Sequence, residues 1–301
     1  MQSKTMVVLE DRGVISIHGP ETLAFLQGLI SNDINKVSTT RAIYATLLTP
    51  QGKFLHDFFI AAAPESEGIL IDCEGDRLDD LLHRLMMYKM RAQVELANES
   101  DTFDVVAMFG DEALKALNLE AAPGSAVGHA GGVIFTDPRL AAIGARAVVP
   151  TSSGVEALVA SGFTKSEPQD YRRRRLEYGL PDGSHDIVVE KYFPLECGFD
   201  ELHAIDYEKG CYVGQELTAR THHRGKIRKR LMPVVVEGPL PEPGTSVLYG
   251  DREIGEIRSG AGNRALALIR IEHFETAEKE HSAFTAGTAK VRPFKPAWAR
   301  F

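Results

Sequence analysis

Short apolar runs separated by turns and amphipathic stretches organise the first 165 residues of the chain. In residues 20–33, Leu23, Leu26 and Ile30 recur at the spacing of one helical face, which predicts a helix with Pro20 near its first turn. Strands and helices alternate in two successive sets, a strong one followed by a weaker one. This order predicts an α+β fold of two interlocked split-βαβ-type units, divided near residue 100. The predicted strands and helices of the two sets are MVVLE, GVISIHG, AIYATLL, KFLHDFFIAAA, GILIDCE, DRLDDLLHRLMMYK, AQVELANE, FDVVAMFG, DEALKALNL, GVIFTD, ARAVVP and GVEALVASG.

The pattern changes after Arg230. From LMPVVVEG to ALALIRIE, short apolar runs alternate with Pro/Gly turns and no helical period is visible. That pattern is typical of a small all-β domain, so we expect a β-barrel over residues 231–301 and a first region over residues 1–230.

Composition and charge limit the class of protein. The chain begins without the apolar run of a signal peptide and contains no membrane-length apolar stretch. Its three cysteines, Cys73, Cys197 and Cys211, are far apart in sequence. These features predict a cytoplasmic protein with reduced thiols, and they disfavour a resident zinc or iron–sulfur centre held by this chain alone. A net charge of −8 disfavours general nucleic-acid binding.

The strand Phe54–Ile60 is the first candidate site. Strand alternation places Asp57 on one face and His56 on the other, each among large apolar residues. A carboxylate in that setting must be paired, strongly hydrogen-bonded or shifted in pKa, and such groups cluster at functional sites. The alternative is an acid at a strand end that reaches solvent or caps a loop.

A short helix after Ser166 is the second candidate. Ser166 and Gln169 fit a capping box, and Gly179 fits a helix terminator. Glu177 lies at the helix end, beside a Gly-Leu-Pro-Asp-Gly turn that could admit a ligand. The alternative is that Glu177 pairs with Arg173 or Arg174 along the helix.

The stretch KGCYVGQE, residues 209–216, is the third candidate. Gly210 and Gly214 permit close approach or unusual backbone angles on either side of Cys211. Lys209 and a helix that begins after Gly214 favour the thiolate form of Cys211. The alternative is an inert cysteine at a tight turn, and a metal held with His222 and His223 is disfavoured because adjacent histidines point in different directions.

Two basic clusters stand out from the acidic chain, YRRRRLE and RTHHRGKIRKR. They could attract phosphate, a polycarboxylate tail or RNA, or they could be solvated surface charge.

These motifs resemble a known family. The chain is similar to the folate-binding relatives of the aminomethyltransferase (T-protein) of the glycine cleavage system. Within that group it resembles the YgfZ-type proteins, which assist iron–sulfur cluster assembly and repair. The signature K-G-C-Y-x-G-Q-E matches at every defined position, and the resemblance covers residues 14–231 well and the C-terminal domain more loosely. It implies a T-protein-like fold whose domains are arranged around a central folate-sized opening.

The resemblance also implies roles for individual residues. Asp57 matches the aspartate near the reactive nitrogen of tetrahydrofolate, Tyr44 a folate-contacting tyrosine, and Glu177 the glutamate that reads the pterin ring. Glu190 matches a second acidic contact, although one extra residue before Phe193 shifts that alignment. Asn32 and Asp33 match a pair with a structural or site-bordering role. True T-proteins carry two adjacent acids where this chain has His56 and Asp57, and they lack the cysteine signature. Further cofactor-binding candidates, in or just after the signature, are Lys209, Tyr212, Gln215 and Arg220.

The resulting hypothesis is a tetrahydrofolate-binding accessory protein for iron–sulfur enzymes, including radical enzymes that modify tRNA. Cys211 is its reactive or transient-ligand thiol, and assembly machinery and client enzymes are its partners. One alternative is a folate-dependent aminomethyl or one-carbon transferase in which Asp57 is the key acid. The other is an RNA- or protein-binding module that uses the 220–230 cluster. We expect some of five arginines to border the folate opening, where its glutamate carboxylates leave. They are Arg174, Arg175, Arg220, Arg224 and Arg228.

Overall fold

A computed structural model describes residues 4–63, 68–280 and 282–301, with the side chain of Arg224 outside the description. The chain divides into two compact units. Unit 1 comprises Met1–Leu48, Leu55–Pro168 and Leu202–Val213, and unit 2 comprises Thr49–Phe54, Gln169–Glu201 and Gly214–Phe301.

Two β-sheets and four helices precede residue 168. The helices are α1 (Thr22–Gln27), α2 (Leu78–Lys89), α3 (Ala113–Ala116) and α4 (Gly154–Ala160). The strands are β1 (Thr5–Val8), β2 (Arg12–His18), β3 (Ile43–Leu48), β4 (Phe54–Ala62), β5 (Ile69–Glu74), β6 (Glu95–Asn98), β7 (Phe103–Phe109), β8 (Ala126–His129), β9 (Gly132–Thr136), β10 (Ala145–Pro150) and β11 (Thr164–Lys165).

The strands pair out of chain order. One sheet has the order β3-β4-β5-β2-β6, and the other has the order β11-β1-β7-β10-β9-β8. The pairs β2–β5, β2–β6 and β4–β5 are antiparallel, whereas β1 and β11 are parallel. Two mixed α+β sets are therefore present, as the alternation of strands and helices predicts, and β1 joins the second sheet although it begins the first set.

The second sheet of unit 1 is buried on both faces. Its side chains Met6, Val106 and Ala147 pack in one core with Leu117 of the α3 C-terminus and Leu158 of α4. Because side chains alternate along a strand, their neighbours point to the opposite face. On that face the two sheets meet, since the Phe135 ring of β9 lies 6.3 Å from the Phe59 ring of β4.

Unit 2 is built around a closed six-stranded barrel. Its strand order is β12-β15-β14-β13-β16-β17, and a continuous apolar core that includes Val234, Ile257 and Val291 fills it. The strands are β12 (Lys229–Glu237), β13 (Ser246–Tyr249), β14 (Arg252–Ala261), β15 (Arg264–Arg270), β16 (Phe284–Ala286) and β17 (Ala289–Pro293). The helices are α5 (Pro168–Glu177), α6 (Gly183–Asp186), α7 (Gln215–Arg224) and α8 (Ile271–Glu280).

Three local expectations need correction. The first helix covers only Thr22–Gln27, and Leu23 is 46% exposed while Leu26 and Ile30 are buried. The barrel domain also contains α8, whose buried Phe274 and Ala277 join the barrel core. Strand β8 fell in a stretch without a clear period and was not predicted.

Candidate functional site

A buried tyrosine–carboxylate pair lies on adjacent strands of unit 1. The hydroxyl of Tyr44 on β3 donates a hydrogen bond of 2.5 Å to Oδ2 of Asp57 on β4. Asp57 is only 5% exposed, so the strand-end acid that reaches solvent is excluded. Burial, and next the neighbouring charge of Asp57, raise the pKa of Tyr44 well above its ordinary value. The Tyr44 hydroxyl therefore stays protonated near pH 7 and donates to the Asp57 carboxyl group.

A cluster of arginines and acids surrounds the neighbouring ring of Phe59. Asp72 accepts from Nε of Arg12 at 2.6 Å and from Nη2 of Arg146 at 2.6 Å. The Arg146 guanidinium lies 4.1 Å from the centre of the Phe59 ring, which itself lies 4.9 Å from the Tyr44 ring. Arg139 lies 4.8 Å from the same ring centre. This network joins β5 of one sheet to β10 of the other, beside the Tyr44–Asp57 pair.

The sequence analysis did not single out Asp72, Arg139 or Arg146. One signal was available, because Asp72 lies inside the apolar strand ILIDCE, which ends in Glu74, and Arg146 lies inside the apolar strand ARAVVP. Buried charges must be paired, so two such strands predict a partnership between Asp72 and Arg146. Sequence spacing does not indicate which charges meet, because 74 residues separate the two.

An open cleft of about 810 Å³ is lined in part by Tyr44. About half of its wall is polar, including Asn32, Lys36, Glu120 and His203, and the apolar half is mostly proline, alanine and isoleucine. Asn32 is buried and donates 2.8 Å bonds to the carbonyls of Tyr44 and His203. The volume falls in the range of ligand pockets. Asn32 thus lies in the wall of a cleft large enough for a small ligand.

The segment after His203 is tied to the segment after Gln27 by a series of hydrogen bonds. Ser31 donates from Oγ to the carbonyl of Ala204 at 2.6 Å, and the Asp206 amide donates to the carbonyl of Ser31 at 3.0 Å. Lys36 and Asp206 form an ion pair of 2.6 Å. One wall of the cleft and the signature loop therefore belong to the same fixed segment of unit 1.

The signature loop presents Cys211 to solvent between two anchors. On one side, the Lys209 ammonium donates to the carbonyls of Gln27 at 2.7 Å and Ile30 at 2.5 Å. On the other side, the Val213 amide donates to the carbonyl of Gly28 at 3.2 Å. Gly210 has φ of +97° although space surrounds it, so backbone conformation alone requires glycine there.

Lys209 has a role that the sequence did not indicate. Its ammonium is directed to carbonyls at the C-terminal end of α1, where a cation is favoured. Gln27 completes the clamp by donating from Nε2 to the Lys209 carbonyl at 3.0 Å. Burial lowers the pKa of Lys209 to about 8. The lysine of the signature therefore holds the thiol loop in place.

The three thiols differ in access as their sequence settings predict, since Cys73 and Cys197 lie in apolar stretches and glycines flank Cys211. Cys211 is exposed, whereas Cys73 and Cys197 are each 1% exposed. Burial raises the pKa of Cys73 to about 12.

We expect an alkylating reagent to label Cys211 alone in the native protein. Cys73 and Cys197 should react more slowly by a factor of about 10³ or more, because their labelling requires unfolding. Timed iodoacetamide labelling with peptide mass spectrometry measures the three rates, and labelling in urea provides the control. Faster labelling of Cys73 or Cys197 than of Cys211 in the native protein would contradict the assignment of Cys211.

His56 precedes Asp57 on β4, so its side chain points to the other face of the strand, where it belongs to a second polar cluster. Its Nε2 lies 2.9 Å from Oδ2 of Asp80, which also accepts from Arg77 and Arg84. Burial, followed by the charge of Arg77, lowers the pKa of His56 to about 4. His56 is therefore neutral near pH 7.

This shift predicts acid-sensitive stability. The unfolded chain binds a proton at His56 below about pH 6.5 whereas the folded chain does not until about pH 4, so stability falls as pH falls through this window. Between pH 7.5 and pH 5 the loss from this group is about 2 kcal/mol. Urea unfolding of wild type and His56→Gln at both pH values measures it, and equal losses in the two proteins would contradict the prediction.

The other predicted cofactor contacts lie in unit 2, except for Tyr212. Tyr212 is half-buried and lies in unit 1. Glu177, Glu190 and Arg220 are exposed, and Gln215 begins α7 half-buried. Arg173, one of the two alternative partners of Glu177, lies 3.6 Å from Asp170. These five residues remain predicted cofactor contacts together with Lys209.

Arg175 does not border a ligand site. It is 2% exposed and donates to Asp186 at 2.7 Å, to the Leu180 carbonyl at 3.0 Å and to Ser259 at 2.8 Å. The prediction that some of the five arginines receive folate carboxylates therefore excludes Arg175, since its donors face the interior of unit 2, and it stays a prediction for the other four. Of the others, Arg228 is exposed, Arg174 is half-buried and the Arg224 side chain lies outside the described residues.

The described parts of the chain contain neither a metal-binding cluster nor a membrane-spanning helix. Within them, no group of three or more His, Cys, Asp or Glu side chains could hold a metal ion. Across the same residues, no helix combines the length and the apolar character needed to cross a membrane.

Comparison with known proteins identifies the fold and the family. Residues 5–122 match the model of the GCVT N-terminal domain, and residues 228–301 match the C-terminal β-barrel domain of CAF17. The crystal structure of the glycine cleavage system aminomethyltransferase T from Bartonella henselae covers 99% of this chain, and 87% of its own length is covered, with a TM-score of 0.78 at 14% identity. The protein therefore has the T-protein-like fold, with its closed C-terminal barrel.

The relatives narrow the class further. The mitochondrial iron–sulfur cluster assembly factor IBA57 of Mus musculus is 34% identical over 92% of this chain and 82% of its own length. The Homo sapiens protein of the same name is 34% identical over 87% of this chain and 76% of its own length. The Aspergillus clavatus homologue is 33% identical over 88% and 69%. The chain belongs to the YgfZ/IBA57-type family of iron–sulfur cluster assembly factors.

These names contradict one expectation. The absence of a signal peptide predicted a cytoplasmic protein, but the three relatives are each described as mitochondrial. That prediction is wrong, because the lack of a secretory signal does not distinguish between compartments inside the cell.

Proposed function

We propose that this protein is a tetrahydrofolate-binding accessory factor for the assembly or repair of iron–sulfur clusters in client enzymes, including tRNA-modifying radical enzymes. The observation that carries the proposal is the fixed, exposed Cys211 in a segment that also forms a wall of the cleft at Tyr44. Family membership supports the link to iron–sulfur assembly.

Cys211 has the properties of a transient contact for a cluster or for a client's sulfur. It lies on an exposed loop tip, and anchors at Lys209 and Val213 limit the movement of that loop. A single thiolate contributes one ligand, whereas a resident cluster requires four. The cluster is thus cargo, and the remaining ligands come from assembly machinery or from the client.

The residues at Tyr44 fit a folate. The cleft is lined by Tyr44 together with apolar and polar residues in about equal measure, and its volume suits a ligand of that size. Asp57 lies directly behind Tyr44 and is held by it, which suits a carboxyl group that must keep one orientation. Glu177 is the exposed acid that would accept from the donor edge of a pterin.

A complementation experiment tests the iron–sulfur part. In a strain that lacks the gene, we expect iron–sulfur enzyme activities to fall and the wild-type gene to restore them. Cys211→Ala should fail to restore them, and Glu208→Ala, an exposed change three residues away, should succeed. Full rescue by Cys211→Ala would reject the role of the thiol. Glycine-dependent turnover with a lipoyl carrier would instead support an aminomethyltransferase.

Calorimetry with tetrahydrofolate tests the folate part separately. Glu177→Ala should weaken binding by about 1.5–3 kcal/mol because a charge-assisted pair is lost. Glu167→Ala, an exposed acid that precedes the same helix, should bind as wild type does. Unchanged affinity in Glu177→Ala would reject Glu177 as a pterin contact. No binding by the wild-type protein would reject tetrahydrofolate as a ligand.

A further inference from the structure

One exposed apolar surface in unit 1 stands apart from the site described above. Among the described residues, the large apolar side chains that remain exposed are Leu23, Met86, Met87, Tyr88, Met90, Val159 and Leu240. Four of these fall within the five residues 86–90, at the C-terminal end of α2, and the other three are far apart in the sequence. Single exposed apolar side chains are ordinary on a surface, whereas a concentration of them indicates an interaction site.

The methionines that the structure describes separate into two sets. Met6, Met108 and Met232 are at most 1% exposed and lie in the cores. Met86, Met87 and Met90, which we name the methionine patch, are 49%, 57% and 88% exposed. Because α2 buries Leu78, Leu81 and Leu85 against its own unit, the methionine patch is not needed for the packing of that helix.

The backbone at Met90 is unusual for its residue type. Met90 ends α2 with φ of +42° and ψ of −98°, a conformation that glycine adopts at little cost and other residues rarely adopt. A long apolar side chain is nevertheless present there and extends into solvent. Strained backbone that is not required for packing is found mostly at functional positions.

The surroundings of the methionine patch are basic. Residues 83–91, HRLMMYKMR, contain His83, Arg84, Lys89 and Arg91 and no acid, in a chain of net charge −8. Arg84 is paired with Asp80 at 2.9 Å. Across the described residues, by contrast, Lys89 and Arg91 form no ion pair within 4 Å. Two positive charges therefore flank the apolar surface.

We propose that the methionine patch, with Lys89 and Arg91, is a docking surface for an acidic, amphipathic segment of a partner protein. Thioether side chains are flexible and polarizable, and they adapt to differently shaped apolar anchors. Acidic residues beside those anchors would meet Lys89 and Arg91, which sets orientation and association rate. The small apolar area suits a transient complex rather than a permanent one.

Two other occupants fit less well. In a two-fold dimer the patch would face itself, so the positive charges of both copies would be brought together. A membrane-surface helix needs a broad apolar face, commonly with Trp, Phe or Leu, but three of the four leucines of α2 are buried within unit 1. An acidic protein segment satisfies both the apolar and the charged parts of this surface.

Titration of the full chain with a designed peptide tests the proposal. The peptide is a helix of about 20 residues with Leu and Phe at i, i+3, i+4 and i+7 and Glu on the flanking positions. The control peptide has Lys in place of each Glu. We expect saturable, salt-sensitive binding of the acidic peptide and at least about tenfold weaker binding of the basic one.

Peroxide footprinting with mass spectrometry locates the bound peptide. Binding should protect Met86, Met87 and Met90 from oxidation, while the buried Met6, Met108 and Met232 remain unoxidised with or without peptide and serve as internal controls.

Variants separate the contributions. Lys89→Glu with Arg91→Glu, and Met87→Ser with Met90→Ser, should each weaken binding at least about tenfold. Val159→Ser, a matched exposed change elsewhere in unit 1, should not. Met90→Gly should weaken binding and raise the urea midpoint of unfolding, because glycine relieves the positive φ.

Any of four results would overturn the proposal. The first three are no binding of the acidic peptide, equal binding of the basic peptide, and unchanged binding by the patch variants. The fourth is that the protein binds no peptide but instead sediments as a dimer or together with anionic vesicles, in a way that the patch variants abolish.

Discussion

Replacing Asp72 with alanine should destabilise the protein by about 3–5 kcal/mol, the cost of leaving a buried charge without its partner. Asp72 is 1% exposed and is shared by Arg12 and Arg146, which both stay buried or nearly so when it is removed. Urea unfolding followed by far-ultraviolet circular dichroism measures the loss. Faster hydrogen exchange of the β5 amides should show that the loss of stability lies in unit 1.

Asp76→Ala provides the matched control, because Asp76 is exposed and only four residues away. It should change the free energy of unfolding by less than about 0.5 kcal/mol. If Asp72→Ala and Asp76→Ala behaved alike, the buried network would not hold the two sheets together.

Replacing Arg175 with methionine should destabilise unit 2 by a comparable amount, about 3–5 kcal/mol. The substitution leaves Asp186, which is 0% exposed, without its guanidinium partner. Trp298 is the one tryptophan of the chain and donates from Nε1 to the carbonyl of Tyr178, three residues from Arg175. Its fluorescence therefore reports the unfolding of this unit directly.

Arg173→Met on the same helix is the control, since Arg173 is exposed and makes one long ion pair. It should cost no more than about 1 kcal/mol. Adding Asp186→Asn to Arg175→Met should recover part of the loss because the unpaired charge is removed. Equal stability of Arg173→Met and Arg175→Met would show that Arg175 is ordinary surface charge.

Part of the candidate site could be predicted from the sequence because it depends on local pattern. Alternation in FLHDFFI required Asp57 to be paired or hydrogen-bonded, and Tyr44 provides the hydrogen bond. Flanking glycines and a polar setting predicted an exposed Cys211, and the apolar run GILIDCE predicted a buried Cys73.

Other parts depend on contacts between distant segments, which local pattern does not encode. Four consecutive arginines look alike in sequence, yet Arg175 is buried and Arg173 is exposed because only one faces the interior of unit 2. Lys209 suggested activation of a neighbouring thiol, but its ammonium is bound by carbonyls 179 and 182 residues away. Leu23 has the spacing of a buried position, yet the helix ends at Gln27 and Leu23 remains exposed.

The sequence by itself determined the alternation of strands and helices in two sets, a β-barrel over residues 231–301 and the family signature around Cys211. Hydrophobic periodicity and turn residues act over a few positions, so they are readable without a structure. The tertiary structure alone decided the strand order, the pairing of Asp72 with two arginines and the clamp on the thiol loop. Each of these joins residues about 60 to 180 positions apart, and it forms because buried charges and backbone groups take whatever partner the packed sheets bring within hydrogen-bond distance.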